Sequence, residues 1–346
     1  MDREFLASTD PWFRPTSFTV GPDGLLYMVD MYRQHIETPL SIREELKAEM
    51  DFMKGSDRGR IYRIVPENND ANGNVVPDLR RTSSVDLVNL LERPNRWWRL
   101  NAQRILLERQ GPSGIPYAKQ LFEQHKDPKV RLHALYALEG LNALDPTLVK
   151  KAMTDAHAGV RRHGVILSEE YPALLPQLIA QVDDEDIDVA FQVALSLGEF
   201  QGNEAVNALA KILSQRGASS WFGTAVLSAK IGASTGMLEK LISNYSFASG
   251  DEPWKKTFLE DLAYVIGAAN NPKEVNYLLD ILSSSALHAR PEWQVSGVRG
   301  LKNGLEKSTP DESIRQALDR ITSDGSGSLK DALRSLKSIY EKLSSL

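Results

Sequence analysis

Asp30, Arg33, His35 and Glu37 fall within a span of eight residues. Two carboxylates, a guanidinium and an imidazole at that spacing can bind a polar substrate and move its protons. By residue type His35 is the general-base candidate. The same four side chains also suit an ordinary solvated loop, so their chemistry depends on what holds them. The six histidines are His35, His125, His133, His157, His163 and His288. His133 and His163 recur one repeat apart in a column of polar residues. About 10 Å between stacked repeats is too far for both to hold one zinc ion, so no metal site is expected. The chain has no cysteine, which excludes a thiolate nucleophile, a disulfide, a Cys-based zinc site and covalent haem attachment.

The candidate loop lies among β-type runs. Trp12 to Val20 predicts a strand, Gly21-Pro22-Asp23-Gly24 a tight turn, and Leu25 to Asp30 the return strand. An insert with helical character over Ser41 to Lys54 leads to a third strand, Gly59 to Val65. Asp57-Arg58-Gly59-Arg60 reads as the turn leading into that strand. Three strands cannot close a core alone. The expectation is therefore a partial antiparallel β segment that begins inside a larger β domain.

From residue 83 onward the pattern changes to one of helix pairs. The anchors Trp98, Val130, Val160, Val189, Trp221, Trp254 and Trp293 are 32, 30, 29, 32, 33 and 39 residues apart. A period of about 30 is the mark of a helical solenoid. Asn95, Asp127, Asp186 and Asp251, three residues before their anchors, are expected N-caps. Four residues after the anchors stand Ala102, Ala134, Gly164, Val193, Ala225, Phe258 and Gly297, small at most positions and suited to close helix approach. The anchors, including all four tryptophans, are expected to be buried. Trp97 is free to face the β segment. Arg99, Arg131 and Arg161, one residue after their anchors, are expected to pair with acids such as Asp127 and Asp186. The run Asp127 to Leu138 is close to a HEAT consensus.

The fold class is thus mainly α: a HEAT-like α-solenoid preceded by a partial antiparallel β segment. The expected organisation is a partial β blade with helical insert over 1–65 and a polar linker over 66–82. HEAT-like repeats follow over 83–321, then a linker and the start of a further repeat over 322–346.

The run RPTSFTVGPDGLLYMVDMYR, then DRGRIYRIVP after the insert, resembles the last propeller blade of quinoprotein sugar dehydrogenases. The closer resemblance is to the membrane-bound dehydrogenase, haem-binding branch common in planctomycetes and verrucomicrobia. It covers residues 3 to 66 and is only architectural beyond residue 83. In that branch a propeller precedes helical repeats and often a cytochrome c domain.

The resemblance implies a periplasmic or extracytoplasmic redox protein, although no signal peptide is visible in this chain. It implies that Arg14 occupies the first of two cofactor-facing arginine positions. Thr16 stands at the second and departs from the pattern. Asp30, Arg33 and Glu37 would line the channel mouth. Pyrroloquinoline quinone or haem c would belong to the full-length protein, with no cofactor in this chain. The partners implied are the other domains of the same protein and a protein bound by the repeats. Net charge of −5 gives no reason to expect nucleic acid, and no apolar run is long enough to span a membrane.

The function expected is a fragment of a dehydrogenase-like redox protein whose repeats serve as a scaffold. The alternatives are a quinone-dependent sugar or polyol dehydrogenase active only with its upstream propeller, and a stand-alone HEAT adaptor.

Overall fold

In a computed structural model of the chain, residues 4–36, 38–67, 78–230, 233–243, 247, 251–284, 287, 290–306, 314, 316 and 327–344 are described. Glu37 and His288 lie outside them. So do most of the stretch expected as a linker over 66–82 and the Thr322–Ser326 part of the second break. The chain forms two compact units, Met1–Leu144 and Asp145–Leu346.

The first unit opens with a three-stranded antiparallel sheet of β1 (Pro15–Val20), β2 (Leu26–Asp30) and β3 (Arg60–Ile64), with β2 in the centre. Phe18 pairs with Met28, and Met28 with Tyr62, so these three share one face. Ser17, Val29 and Ile61 share the other. The sheet starts later than the sequence predicts. The Trp12 and Arg14 amides donate to the Asp10 and Asp30 side chains rather than to the ladder. The insert is also less helical than expected. Only Glu44–Lys47 closes an α-turn, because Arg43 offers no capping side chain and the Asp51 carboxylate turns the chain by accepting the Met53 amide.

Helices Ser84–Asn89, Arg96–Arg109, Ile115–Gln124 and Pro128–Gly140 complete this unit. Ser83, Asn95 and Asp127 cap three of them through side-chain oxygens, satisfying amides that the first turn leaves orphaned. Gln110 ends the helix Arg96–Arg109 in the left-handed region at φ 49°.

The second unit repeats the same logic from Pro146–Met153 to Gly327–Ser344. Asp145, His157, Asp186 and Asn271 cap its helices, and Pro146, Pro253, Pro272 and Pro291 occupy first-turn positions that need no amide. Asp251 is not a cap, contrary to the sequence expectation. Glu252 precedes Pro253 at the helix start, and Asp251 instead meets Arg290 at 3.1 Å.

The column four residues after the anchors is buried throughout, from Ala102 to Gly297. The anchor column is not. Val130, Val160, Val189 and Trp293 are buried, and Trp98 and Trp254 are half-buried, but Trp221 is 70% exposed. The reason is its neighbour. Phe222 is buried edge-on against Phe191, with centroids 5.5 Å apart, and successive helical residues point about 100° apart.

The helices Pro253–Ala269 and Pro291–Leu305 approach each other closely through glycines. A Cβ at Gly300 would overlap the carbonyl oxygen of Glu260 and stand 2.8 Å from its carbonyl carbon. Backbone cannot yield as a flexible side chain can. Gly300→Ala should therefore cost about 1–3 kcal/mol as overpacking, despite the gain of roughly 1 kcal/mol in helix propensity. A urea titration checks this, with a lowered midpoint at unchanged slope as the expected result.

Candidate functional site

Of the polar residues singled out in the sequence, Arg14, Asp30 and the Arg33 backbone meet where β2 ends. Asp30 is fully buried, and its Oδ1 accepts the amides of Arg14 at 2.8 Å and Tyr32 at 2.9 Å. One carboxylate oxygen thus ties the start of the first strand to the loop after the second. Two backbone bonds reinforce the tie, Met31 N–H to Arg14 O and Arg33 N–H to Trp12 O. The other carboxylate oxygen, Oδ2, has no partner among the described residues. Asp30 acts here as a bracket for backbone.

Tyr32, held by that bracket, sits at φ 52°, a region costly for a bulky residue. Its ring lies 5.7 Å from that of Trp12, and the Arg60 guanidinium stands 3.8 Å above it. Gly55, at φ 93°, lets the insert approach: a Cβ there would come within 2.5 Å of the Tyr32 carbonyl oxygen.

Arg14 directs its guanidinium at backbone. Nη1 donates to Pro11 O at 2.6 Å and Phe13 O at 2.9 Å, and Nη2 reaches Gln34 O at 3.5 Å. Arg33 is half-buried, with Nη1 unpartnered among the described residues. His35 is half-buried against Phe52, ring centroids 6.1 Å apart. The structure therefore brings Arg14, Asp30 and the Arg33 backbone together, sets His35 against an aromatic ring, and leaves Glu37 outside the described residues. Tyr32 and Arg60 were not singled out in the sequence. Their approach depends on a positive φ that no Gly or Asn announces.

A second junction joins the sheet to the first helices of the same unit. Asn95 Nδ2 donates to Gly21 O at 2.8 Å, and Trp98 Nε1 to Pro22 O at 2.9 Å. The residue that bonds the β segment is thus Trp98, whereas the sequence pointed to Trp97. Trp97 packs edge-on against Trp98 at 5.1 Å. Asp23 stiffens the turn by accepting the Leu25 amide, the Tyr27 hydroxyl at 2.8 Å and Arg63 Nε at 2.9 Å. Burial alone would raise the Asp23 pKa, but these donors outweigh it and hold the carboxyl below its usual range.

The arginine column serves the repeats themselves. Arg99 donates to the carbonyls of Arg93 and Pro94, Arg131 to those of His125 and Lys126, and Arg161 to those of Asp155 and Ala156. Each arginine binds the carbonyls six and five residues upstream, closing the loop that leads into its own helix. Arg161 adds a two-armed pair with Asp184, both arms 2.9 Å. The acid it meets is Asp184, not the expected Asp186, whose side chain is committed to capping.

His133 Nδ1 lies 2.7 Å from Gln103 Oε1. Burial first, then Arg99 and Arg96, lower its pKa. His163 is lowered by burial and Arg162. Among the described residues no group of three or more His, Cys, Asp or Glu is placed to hold a metal ion. No helix among them is long and apolar enough to cross a membrane.

A family of domains of unknown function, DUF7133, matches residues 1–68. Comparison with curated proteins finds no match. Among solved structures, human deoxyhypusine hydroxylase in complex with glycerol aligns over 69% of this chain and 98% of its own, at 15% identity and a TM-score of 0.28.

Proposed function

We propose that this chain is part of a dehydrogenase-like redox protein, in which HEAT-like repeats act as a protein-interaction scaffold attached to a sugar-dehydrogenase-like propeller blade. The observation that carries the reading is the open sheet. β1 is exposed along its whole length, and Phe18 at 50% and Ile61 at 72% expose apolar side chains on opposite faces. Soluble proteins avoid such patches unless something covers them. A propeller blade has neighbours on both faces. The anchored turn at Gly21 and Pro22 supports a fixed attachment of blade to repeats, and speaks against a helical adaptor with an incidental tail. An extracytoplasmic location follows from the same resemblance.

The residues present do not by themselves form a quinone grip. Arg14 spends its Nη1 on two carbonyls, and Thr16, at the second cofactor-facing position, donates to Val29 O at 3.3 Å. The alternative of a quinone-dependent sugar or polyol dehydrogenase therefore places the cofactor contacts mainly on other blades.

The test is a dye-reduction assay on this chain with sugar or polyol, added quinone and calcium. No substrate-dependent reduction is expected, and sustained turnover by the chain alone would overturn the scaffold reading. In an assembled, active protein, Arg14→Ala should lower the rate more than His133→Ala, whose side chain bonds Gln103.

A further inference from the structure

Trp221 is 70% exposed at the second position of the helix Ser220–Leu227. Ile187, 56% exposed, opens the adjacent helix Ile187–Leu197. The starts of these two helices adjoin. Phe222 stacks edge-on against Phe191 at 5.5 Å, and Arg216 donates to the Asp184 carbonyl at 2.9 Å while standing 5.9 Å from the Phe222 ring. Trp221, Ile187 and the acidic loop before Ile187 thus share one end of this helix layer. A tryptophan left this open costs solvation without a return in packing, and tryptophan is the residue type most enriched at binding hot spots.

The charges around the patch choose the occupant. Asp183 is matched by Lys211, and Asp184 by Arg161. Glu185 and Asp188, exposed on either side of Ile187, form no close ion pair among the described residues, and the Arg161 guanidinium attracts Glu185 only at longer range. Exposed acids without a close cationic partner beside an apolar anchor repel phosphate, which disfavours nucleic acid and anionic lipid. They also disfavour a second copy, since a two-fold contact would bring the same acids face to face. What fits is a peptide segment with an apolar side chain flanked by Lys or Arg.

We infer that Trp221 and Ile187 form a docking site for a basic, apolar-bearing segment of a partner protein. The inference rests on the scaffold reading and gives that scaffold's partner a chemistry.

The experiment uses the full chain and three fluorescein-labelled peptides of one length, built from Leu and Lys, Leu and Glu, or Ser and Lys, followed by fluorescence anisotropy. The Leu/Lys peptide should bind most tightly, and more weakly as salt rises. Ile187→Ser with Trp221→Ala should weaken it at least tenfold, and Glu185→Gln with Asp188→Asn at least threefold. Both variants alter exposed side chains, and an unchanged melting temperature verifies that they fold. Equal binding by the Ile187/Trp221 variant would overturn the site, and equal binding of the Ser/Lys peptide would overturn its apolar anchor. Self-association that Trp221→Ala abolishes would give the patch to a second copy and overturn the partner. The dye-reduction assay reads none of these quantities. Failure here leaves the scaffold reading standing, and turnover by the chain alone removes that reading whatever the peptides do.

Discussion

Trp293→Ala should destabilise the protein by about 3–5 kcal/mol, as truncation of a large buried aromatic does. Trp221→Ala, at the same residue type in the same anchor column two repeats earlier, should change stability by less than about 0.5 kcal/mol. Trp293 is 1% exposed, and its ring meets Phe247 edge-on at 5.6 Å with the Arg290 guanidinium 5.7 Å above it. Phe247 also contacts Trp254 at 5.7 Å and Phe258 at 6.4 Å, so removing Trp293 opens a hole in a four-ring cluster. Because the rings are large and rigid, the site cannot collapse to fill it. Trp293→Phe isolates the packing contribution. Nε1 of Trp293 is buried without a partner among the described residues, so losing that N–H relieves an unmet donor. The Phe variant should lose less than about 1.5 kcal/mol. Urea titrations of the three variants check the ordering. Equal losses for Trp221→Ala and Trp293→Ala would show that Phe222 does not hold the core position.

The contrast between the two tryptophans also shows how far the sequence could be read. Spacing placed every anchor in one column, and the residues four positions on, from Ala102 to Gly297, are each buried. Period alone does not say which of two adjacent large residues turns inward. At Trp221-Phe222 the choice is made by Phe191 across the helix pair, a contact that no local pattern records. Caps followed the same division. Asn95, Asp127 and Asp186 were legible because a short polar side chain preceding a helix has one obvious use. Asp251 was misread because Arg290 lies 39 residues away in sequence. The arginine column was legible as a column but not in its acceptors, since backbone carbonyls leave no trace in residue type.

The candidate site was legible only in part, for related reasons. Asp30 stood out as a carboxylate, but the amides of Arg14 and Tyr32 claim its Oδ1 through the fold. Tyr32 at a positive φ, with Arg60 over its ring, comes from tertiary constraint that overrides local preference. The hairpin turn, by contrast, was plain from Pro22, Asp23 and Gly24, because each residue there has a local geometric role. Its docking by Asn95 and Trp98 was foreseen in kind but assigned to the wrong tryptophan.

Asp184→Ala should cost about 3 kcal/mol, at the low end of what removing one partner of a buried ion pair costs. The side chains of Asp184 and Arg161 are only 9% and 13% exposed. Asp184 accepts both arms of Arg161 and the Asp186 amide, while its carbonyl takes Arg216. Its loss strands a guanidinium that solvent reaches poorly and frees the loop that positions the Asp186 cap. The value falls at the low end because Arg161 keeps the Asp155 and Ala156 carbonyls as acceptors. Removing the charge as well should recover part of the loss, so Arg161→Met with Asp184→Ala should be less destabilising than the sum of the single variants. The pair also has a pH signature. Burial alone would raise the Asp184 pKa, but the bonds from Arg161 and the Asp186 amide outweigh it and hold the folded value below the ordinary 3.8. A carboxyl lowered in the folded state binds more protons when unfolded, so its stabilisation is complete above the unfolded pKa. It fades as the pH falls through the folded one. The wild-type protein should therefore lose more stability than Asp184→Ala between about pH 5 and pH 3, and the gap between them should narrow on acidification. Thermal unfolding across that range decides it. A gap that stays constant would mean that Asp184 is held by hydrogen bonds indifferent to its charge.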